Sequence, residues 1–449
     1  MARETVSDEL KKYGYVFSKK KTLISIVAVF FVTFGLGKLF RLDFFYEVVL
    51  GVFLIIFLPF FIRNSERSRY VQKRFSDVNV YIEQFLYSFE KTGKVLETLY
   101  DVKEIFEDGL MKKKIEMAIN HIANSYDSDS EKDALSIIEN EYKYEGLKLI
   151  HEFALGVERE GGEYRSSAKI LLDDRRLWMD RVLESLNEKK RRRNRNTISI
   201  LMSLILCSMI YFISFRMDID VSKNIYVQFG TSLVLILDIL IFFLSDRKMS
   251  EDYLTTKDTK ENRAYKLQEK WKDFKDVKIP FMKRLFYKSE KRLVIREIEK
   301  AFPRWILDMV LLLQNDNVFV SIEKSYEKAP LVLKRDLEIL ISELKINPTG
   351  IMSYVGFMKQ YGIPDVEAAM KVLYSLSENG NGQVVNELGE ILTRNRQMID
   401  RASKIKNEDN MAGMEALFLA PQITAGIKMI CDMMVMFGVY LSDVGKIGV

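Results

Sequence analysis

The hydrophobic residues of this chain form a few long blocks that alternate with strongly polar segments. A helix that crosses a bilayer needs about 20 mostly apolar residues, and four blocks meet that requirement, while a fifth with a weaker pattern is also expected to span. The blocks are residues 22–40, 44–62, 197–215, 225–245 and about 414–441. The first block has no small-residue cleavage site and is followed at once by the second, which indicates a retained span and not a removed signal peptide.

The polar segments between the blocks carry apolar residues at helical spacing. In 77–92 these residues recur at i, i+3, i+4 and i+7, which predicts an amphipathic helix that Gly93 terminates. From about Tyr164 a helical pattern continues without Pro or Gly into the third span, so one long helix is predicted there.

Three local signals predict where other helices begin and end. Ser128 and Glu131 have the spacing of a capping box before a helix at 131–142. Pro303 is expected in the first turn of another helix, which a polar turn at 315–317 should end.

The second polar segment repeats the plan of the first. Residues 81–93 align with 305–317 without a gap, and Glu158 and Glu378 occupy matching places before a glycine-containing break. This predicts an internal duplication, and the alternative is a chance likeness between two helical bundles. The expected divisions are 1–62 (N-terminus and two spans), 63–196 (first bundle), 197–245 (two spans), 246–410 (second bundle) and 411–449 (fifth span and tail).

The composition fits this helical plan. Of 449 residues, 48% are hydrophobic and 29% charged, and only 7 are Pro and 22 Gly. These values exclude collagen-like, disulfide-built and charge-rich disordered classes. The mean hydropathy of −0.06 averages apolar spans with charged bundles.

Basic residues next to the spans predict the topology, because Lys and Arg resist translocation. Residues 1–21 hold six bases and 63–74 hold five, and a run of six bases directly precedes the third span. The run consists of Lys189, Lys190, Arg191, Arg192, Arg193 and Arg195. Setting topology is the favoured role of this run over binding nucleic acid or anionic lipid, and no nucleic-acid partner is expected. The predicted fold is therefore an all-α, polytopic helical membrane protein with two cytoplasmic antiparallel helical bundles.

Between its basic ends the first polar segment is acidic. Residues 75–188 hold 15 bases and 25 acids. Acidic residues that merely solvate the helices and an acidic docking face for a basic partner are both compatible with this pattern.

Three charged residues lie inside predicted spans: Asp238, Lys428 and Asp432. A lone charge in hydrocarbon is costly, so Asp238 is expected to face other helices or water, and Lys428 can pair with Asp432 one turn away. Helix packing and a proton or substrate path remain alternatives. An aspartyl membrane protease is disfavoured, because neither aspartate follows a Gly-x-Gly sequence.

The residues of familiar catalytic and metal sites are scarce. The sequence has no P-loop motif, and its two histidines, His121 and His151, and its two membrane-embedded cysteines do not form a zinc motif. His151 lies on an apolar stripe and is expected to be a core residue. We therefore expect no cofactor, no metal and no enzymatic activity.

The chain resembles the type II secretion F family, specifically the platform proteins of tight-adherence (Tad, or Flp) pili, in two family-like halves. The residues that carry the resemblance are 75–99 and 145–176 in the first half, and 302–330 and 373–397 in the second. Two departures are the Asn residues at 315–317 where glycine is typical, and a missing second span after the last bundle.

The resemblance implies a duplicated secretion F-type domain and a non-enzymatic platform in the bacterial cytoplasmic (inner) membrane. Such a platform would couple a cytoplasmic secretion ATPase to pilin-like membrane subunits, and would act as a homo-oligomer. Its candidate partner contacts are the two acidic turns. These comprise Glu158, Glu160, Gly161 and Gly162 in the first half, and Glu378, Gly380 and Gly382 in the second. Plain helix termination is the competing explanation for both turns. The rival function is a transporter or channel that uses Asp238, Lys428 and Asp432.

Overall fold

The computed structural model is helical throughout the residues that it describes. These are residues 19–124, 129–161, 164–217, 219–249, 259–271, 274, 284–313, 316–347, 350–379, 384–411 and 414–447. Within these ranges the regular elements are α-helices and one short 3-10 helix, without a strand. The predicted all-α class is confirmed.

The α-helices of the described ranges are numbered in chain order. They are α1 Lys19–Leu39, α2 Phe44–Thr92, α3 Val95–Ile105, α4 Leu110–Asn124, α5 Ser130–Tyr142, α6 Glu145–Glu160, α7 Arg165–Arg216, α8 Ile225–Met249, α9 Thr259–Lys270, α10 Arg284–Leu312, α11 Val318–Tyr326, α12 Leu331–Ile346, α13 Ile351–Gly356, α14 Pro364–Asn379, α15 Val384–Met411 and α16 Met414–Ile447.

The chain divides into two compact units. The apolar unit consists of Met1–Phe75, Leu183–Tyr253 and Met411–Val449, and the polar unit consists of Ser76–Val182 and Leu254–Asn410. Two long helices, α2 and α7, have a stretch of several turns in each unit, since the boundary between their apolar and polar segments has no helix-terminating residue.

Among the residues that the structure describes, four helices are long and apolar enough to cross a membrane. They are Phe44–Thr92, Arg165–Arg216, Ile225–Arg247 and Glu415–Ser442. These four contain the predicted spans at 44–62, 197–215, 225–245 and about 414–441. The predicted span at 22–40 corresponds to a shorter apolar stretch, Leu23–Leu39, in α1.

One buried side chain joins the two turns of the apolar unit. Gln228 Nε2 donates to the carbonyl oxygens of Arg41 at 2.9 Å and Ser222 at 2.5 Å, and its Oε1 accepts from the backbone N–H of Asp43 at 3.0 Å. A buried amide is stable only when its polar atoms have partners, which these backbone groups supply. The α1–α2 turn and the α7–α8 turn therefore lie at the same end of the apolar unit.

Helix α16 runs from the opposite end of the apolar unit towards these turns. Near its start, Glu415 contacts Arg192, 3.3 Å away, at the basic end of the apolar stretch of α7. Near its end, Met436 packs in a hydrophobic cluster with Ile219 and Val221 of the α7–α8 turn. This direction is the one that a fifth span requires.

The polar unit has two hydrophobic clusters. The first is built from residues between Val78 and Leu171, and the second from residues between Ala264 and Met398. The two aligned aromatics, Tyr81 and Trp305, are both fully buried, each in its own cluster. The two clusters match the two polar segments of the sequence, while their origin by duplication stays a prediction.

Two predicted helix boundaries are confirmed. Helix α2 ends at Thr92, and Gly93 follows with φ of +64°, a conformation that an L side chain rarely adopts. The long helix predicted from about Tyr164 into the third span is α7, which runs unbroken for 52 residues.

One other local prediction requires correction. Pro303 does not lie in a first turn, because α10 begins at Arg284 and contains the proline in its interior. The helix continues through it since Phe302 and Trp305 on either side are fully buried in the second cluster, and this packing outweighs the lost backbone hydrogen bond. Helix α5 begins at Ser130, with Asp129 as the residue before it; Ser128 lies outside the described residues.

Candidate functional site

The first acidic turn has a structural role in the polar unit. Glu158, near the end of α6, accepts a hydrogen bond through Oε2 from the backbone N–H of Val95 at 2.8 Å. Val95 is the first residue of α3, and the first N–H groups of a helix have no partner within it. A carboxylate there also interacts favourably with the helix dipole. Glu158 therefore caps α3 from 63 positions further along the chain.

The carboxylate of Glu158 also influences a residue of helix α5. Burial and the neighbouring Glu158 carboxylate raise the pKa of Glu131, and Arg159 partly opposes them. Gly161 ends α6 with φ of +71°, where its N–H donates to the carbonyl of Val157 at 2.8 Å. The side chain of Glu160 and all of Gly162 lie outside the described residues.

The second half caps the matching helix in a different way. Asn317 precedes α11, and its Oδ1 accepts from the backbone N–H of Val320 at 2.9 Å. Glu378 is exposed near the end of α14, and its hydrogen bond with Tyr374 raises the pKa of that tyrosine. The two aligned glutamates thus make different contacts. Gly380 and Gly382 lie outside the described residues.

A buried hydrogen-bonded chain crosses the first cluster. His151 lies between Tyr81, whose hydroxyl is 2.9 Å from Nε2, and Glu139, whose Oε1 is 2.8 Å from Nδ1. A tautomer protonated on Nδ1 satisfies both contacts. His151 and Tyr81 are both fully buried, so this chain stabilises the core and does not present a base to a substrate. The expectation that His151 is a core residue agrees with this burial.

Ionic contacts join α6 of the first half to α10 and α11–α12 of the second. Glu145 pairs with Arg304, and Glu152 pairs with Lys328 at 2.7 Å. Asp308 lies among these groups, and burial raises its pKa to about 6 although Arg304 and Lys328 act in the opposite direction. The polar unit therefore contains a carboxyl group that favours its protonated form more than a solvated aspartate does.

In the apolar unit, Asp238 faces another helix. It lies midway along α8 and is 3% exposed. Ser203 of α7 donates to Oδ2 at 2.8 Å, while Oδ1 has no hydrogen-bond partner among the described residues. This placement agrees with the expectation that Asp238 avoids lipid.

Lys428 and Asp432 form an ion pair one turn apart on α16, as their spacing predicts. Both residues are buried, at 5% and 2% exposure. The Lys428 ammonium also lies 5.1 Å from the centroid of the Tyr211 ring, and the hydroxyl of Tyr211 is hydrogen-bonded to Thr231 at 3.0 Å. The pair and these neighbours connect α16 with α7 and α8.

Carboxylates of α8 and α16 pair with arginines of the basic run on α7. Arg193 pairs with Asp246 of α8 at 3.4 Å, and Arg192 and Arg195 both pair with Glu415 of α16, at 3.3 Å and 3.4 Å. The other members of the run precede these on α7: Lys189, Lys190 and Arg191. Sequence reasoning missed the two carboxylates, although their positions at the ends of the apolar blocks were a usable signal.

No group of three or more His, Cys, Asp or Glu within the described ranges has the arrangement of a metal site. The chain matches no protein-family model, no curated protein and no solved structure in the three comparisons made. The functional assignment therefore depends on the residues and geometry described above.

Proposed function

We propose that this chain is a non-enzymatic platform of a type II secretion or Tad-type pilus assembly machine in the bacterial cytoplasmic membrane. In this role it couples a cytoplasmic secretion ATPase to the assembly of pilin-like membrane subunits, and it acts as a homo-oligomer. The link to pili and to an ATPase comes from the sequence resemblance of residues 75–99, 145–176, 302–330 and 373–397 to the platform family.

The observation that carries the proposal is the continuity of α2 and α7. These helices are 49 and 52 residues long, and each contains an apolar stretch and a stretch that packs in the polar unit. At about 1.5 Å per residue, each of these helices is about 75 Å long and joins the two units without a non-helical linker. A part that transmits movement between a soluble motor and membrane subunits requires such connections.

The acid-rich first segment supports a basic partner on the cytoplasmic side. Exposed carboxylates occur around the end of α3 at Glu104, Glu107 and Asp108, of which Glu104 lies 3.6 Å from Lys103 and Asp108 lies 3.3 Å from Lys112. The excess of acids over bases in residues 75–188 would steer a basic partner during association. In this proposal that partner is the secretion ATPase.

Deleting the gene and complementing it tests the proposal at the level of the machine. Loss of surface fibres or secretion, with unassembled subunits retained in the membrane, is expected. Normal fibres and normal secretion in the deletion strain would exclude the platform role.

Co-purification tests the contact with the motor. Neutralising Glu104, Glu107 and Asp108 to Gln or Asn should reduce recovery of a P-loop secretion ATPase with the tagged chain. A control variant with Glu338→Gln and Glu343→Gln removes exposed charge from α12 in the second half. Equal recovery with both variants would argue against an acidic docking face.

A transporter or channel is the second candidate, and the unpartnered Oδ1 of Asp238 is the observation that favours it. Two features count against it: Lys428 and Asp432 neutralise each other, and Asp238 already accepts from Ser203. Ion flux in proteoliposomes that is lost in the Asp238→Asn variant would make this the preferred function.

A further inference from the structure

A small cleft in the apolar unit lies where the basic run meets the apolar stretches of α7, α8 and α16. It is lined by Arg192, Arg195, Asn196, Ser245, Glu415 and Phe418. Every lining residue lies within one turn or so of a boundary between charged and apolar sequence. In a membrane-spanning helix such a boundary falls at the level of the lipid headgroups.

Two polar side chains in this cleft are buried and lack partners. Asn196 is 4% exposed and Ser245 is 1% exposed. Neither the amide of Asn196 nor the hydroxyl of Ser245 has a hydrogen-bond partner among the residues that the structure describes. Because a buried polar group without a partner is destabilising, such groups in a cleft indicate a ligand that supplies the missing hydrogen bonds.

The arginines define the charge of that ligand. Arg192 and Arg195 share one carboxylate, Glu415, so the cleft itself has a positive excess. Lys190 and Arg191 add exposed positive charge on the preceding turn of α7. Two guanidinium groups, an amide and a hydroxyl are all donors to the oxygens of a phosphate group.

The surroundings of the cleft favour a phospholipid over a free phosphate ion. The guanidinium of Arg195 lies 4.6 Å from the centroid of the Phe418 ring, which begins the apolar stretch of α16. Close by in the sequence, the side chains of Ile198 and Leu419 are 57% and 47% exposed. The acyl chains of a lipid would therefore have an apolar surface beside the headgroup. A free ion would use none of this surface.

We propose that the cleft between α7, α8 and α16 is a binding site for the headgroup phosphate of an anionic phospholipid. Arg192 and Arg195 bind the phosphate oxygens, and Asn196 and Ser245 donate to the same group. Glu415 holds the two arginines in place when no lipid is bound, and competes with the phosphate for them. The site gives the basic run a role beyond setting topology.

Lipid binding to the full-length chain in neutral detergent, measured by native mass spectrometry, tests the site. We expect phosphatidylglycerol to bind, and phosphatidylcholine and inorganic phosphate not to compete with it. If inorganic phosphate displaced phosphatidylglycerol, the cleft would be a site for a free anion. If phosphatidylcholine bound as tightly as phosphatidylglycerol, the cleft would not select anionic lipids. Either result overturns the proposal.

Charge-matched variants separate the cleft from diffuse attraction. Replacing Arg192 and Arg195 with Gln should weaken phosphatidylglycerol binding by about tenfold or more, since charge-assisted hydrogen bonds are lost. Replacing Lys190 and Arg191 with Gln removes the same charge outside the cleft, and should weaken binding by less than about threefold. Equal losses in the two variants would mean that no specific cleft exists.

Two further variants guard against misfolding as an explanation. Ser245→Ala leaves the charge unchanged and should weaken binding several-fold. Glu415→Gln frees both arginines and should strengthen binding, a gain that misfolding does not produce. Weaker or unchanged binding in the Glu415→Gln variant, with normal thermal unfolding, would contradict the competition between Glu415 and the phosphate and overturn the site.

Discussion

Removing the carboxylate of Glu158 should selectively loosen helix α3. In the Glu158→Ala variant the N–H of Val95 loses its acceptor, which lies 2.8 Å away in the intact protein. Loss of a helix cap costs about 0.5–2 kcal/mol, and a hydrogen bond to a charged group lies in the upper part of that range. We therefore expect a local destabilisation of about 1–2 kcal/mol.

Amide hydrogen exchange reports this change helix by helix. Since each 1.36 kcal/mol is a factor of ten, exchange in the first turn of α3 should be about 5 to 30 times faster. Asn317→Ala removes the neutral cap of α11 and should speed exchange there by about fivefold, from a cost of about 1 kcal/mol. Each effect should be confined to its own helix.

Glu378→Ala is the matched control, because it removes the aligned glutamate, which is exposed near the end of α14. It should change exchange in neither α3 nor α11. Unchanged exchange in α3 of the Glu158→Ala variant would refute the capping role of Glu158. Glu158 would then again be a candidate partner contact.

Three further predictions concern buried polar groups. Lys428→Met leaves the buried Asp432, which is 2% exposed, without its ion-pair partner, so it should lower the free energy of unfolding in detergent by about 3–5 kcal/mol. Adding Asp432→Leu should recover most of that loss. A loss below about 1 kcal/mol in the single variant would contradict a stabilising ion pair. Tyr81→Phe removes the partner of His151 Nε2 and should cost about 1–3 kcal/mol in urea unfolding, whereas an unchanged midpoint would mean that the hydrogen bond contributes nothing. The pKa of Asp308 is raised from 3.8 to about 6 in the folded protein. As the pH rises from about 4 to 6, the folded protein keeps the proton on Asp308 while the unfolded chain loses it. The free energy of unfolding therefore falls across this pH range. Asp308→Asn should therefore stabilise the polar unit at pH 7.5 by about 3 kcal/mol at most and have little effect at pH 4, and an equal effect at both values would contradict the shift.

The features that sequence reasoning predicted well depend on long, repetitive patterns. The four long apolar helices and the unbroken α7 follow from runs of tens of residues, over which no single residue decides the outcome. The inward direction of Asp238 and the pairing of Lys428 with Asp432 also follow from a general cost, since a charge in hydrocarbon requires a partner or a packed surface.

The features that sequence reasoning missed depend on single contacts between residues that are distant in the sequence. Pro303 favours a first turn locally, but its neighbours Phe302 and Trp305 pack the second cluster and keep the helix continuous. Glu158 looks like any acidic residue before a glycine, and its role as a cap appears only when Val95 is placed beside it. Neither contact leaves a periodic signal in the sequence.

The two different caps also explain one departure of the sequence from the family that it resembles. In the first half Gly93 ends α2, and the start of α3 depends on Glu158. In the second half Asn317 stands at the position of that glycine and caps α11 through its own side chain. A local cap makes a distant carboxylate unnecessary, which agrees with the exposed position of Glu378. The asparagine is therefore a physical substitute for the distant glutamate, and does not weaken the resemblance between the halves.

The polar contacts of the apolar unit are distributed unevenly among its helices, which is relevant to the proposed platform role. Helices α7, α8 and α16 are tied together along their length by Asp238, Lys428 and the arginine pairs with Glu415. The apolar window of α2 is only 6% buried, against 50% for that of α8, and the Gln228 clamp joins the turn before α2 to α8. Polar contacts thus join α7, α8 and α16, while most of the apolar window of α2 is not buried by this chain. The proposed platform would need both features, a set of helices held together by polar contacts and an apolar surface on which neighbouring helices can pack, and in this chain they lie on different helices.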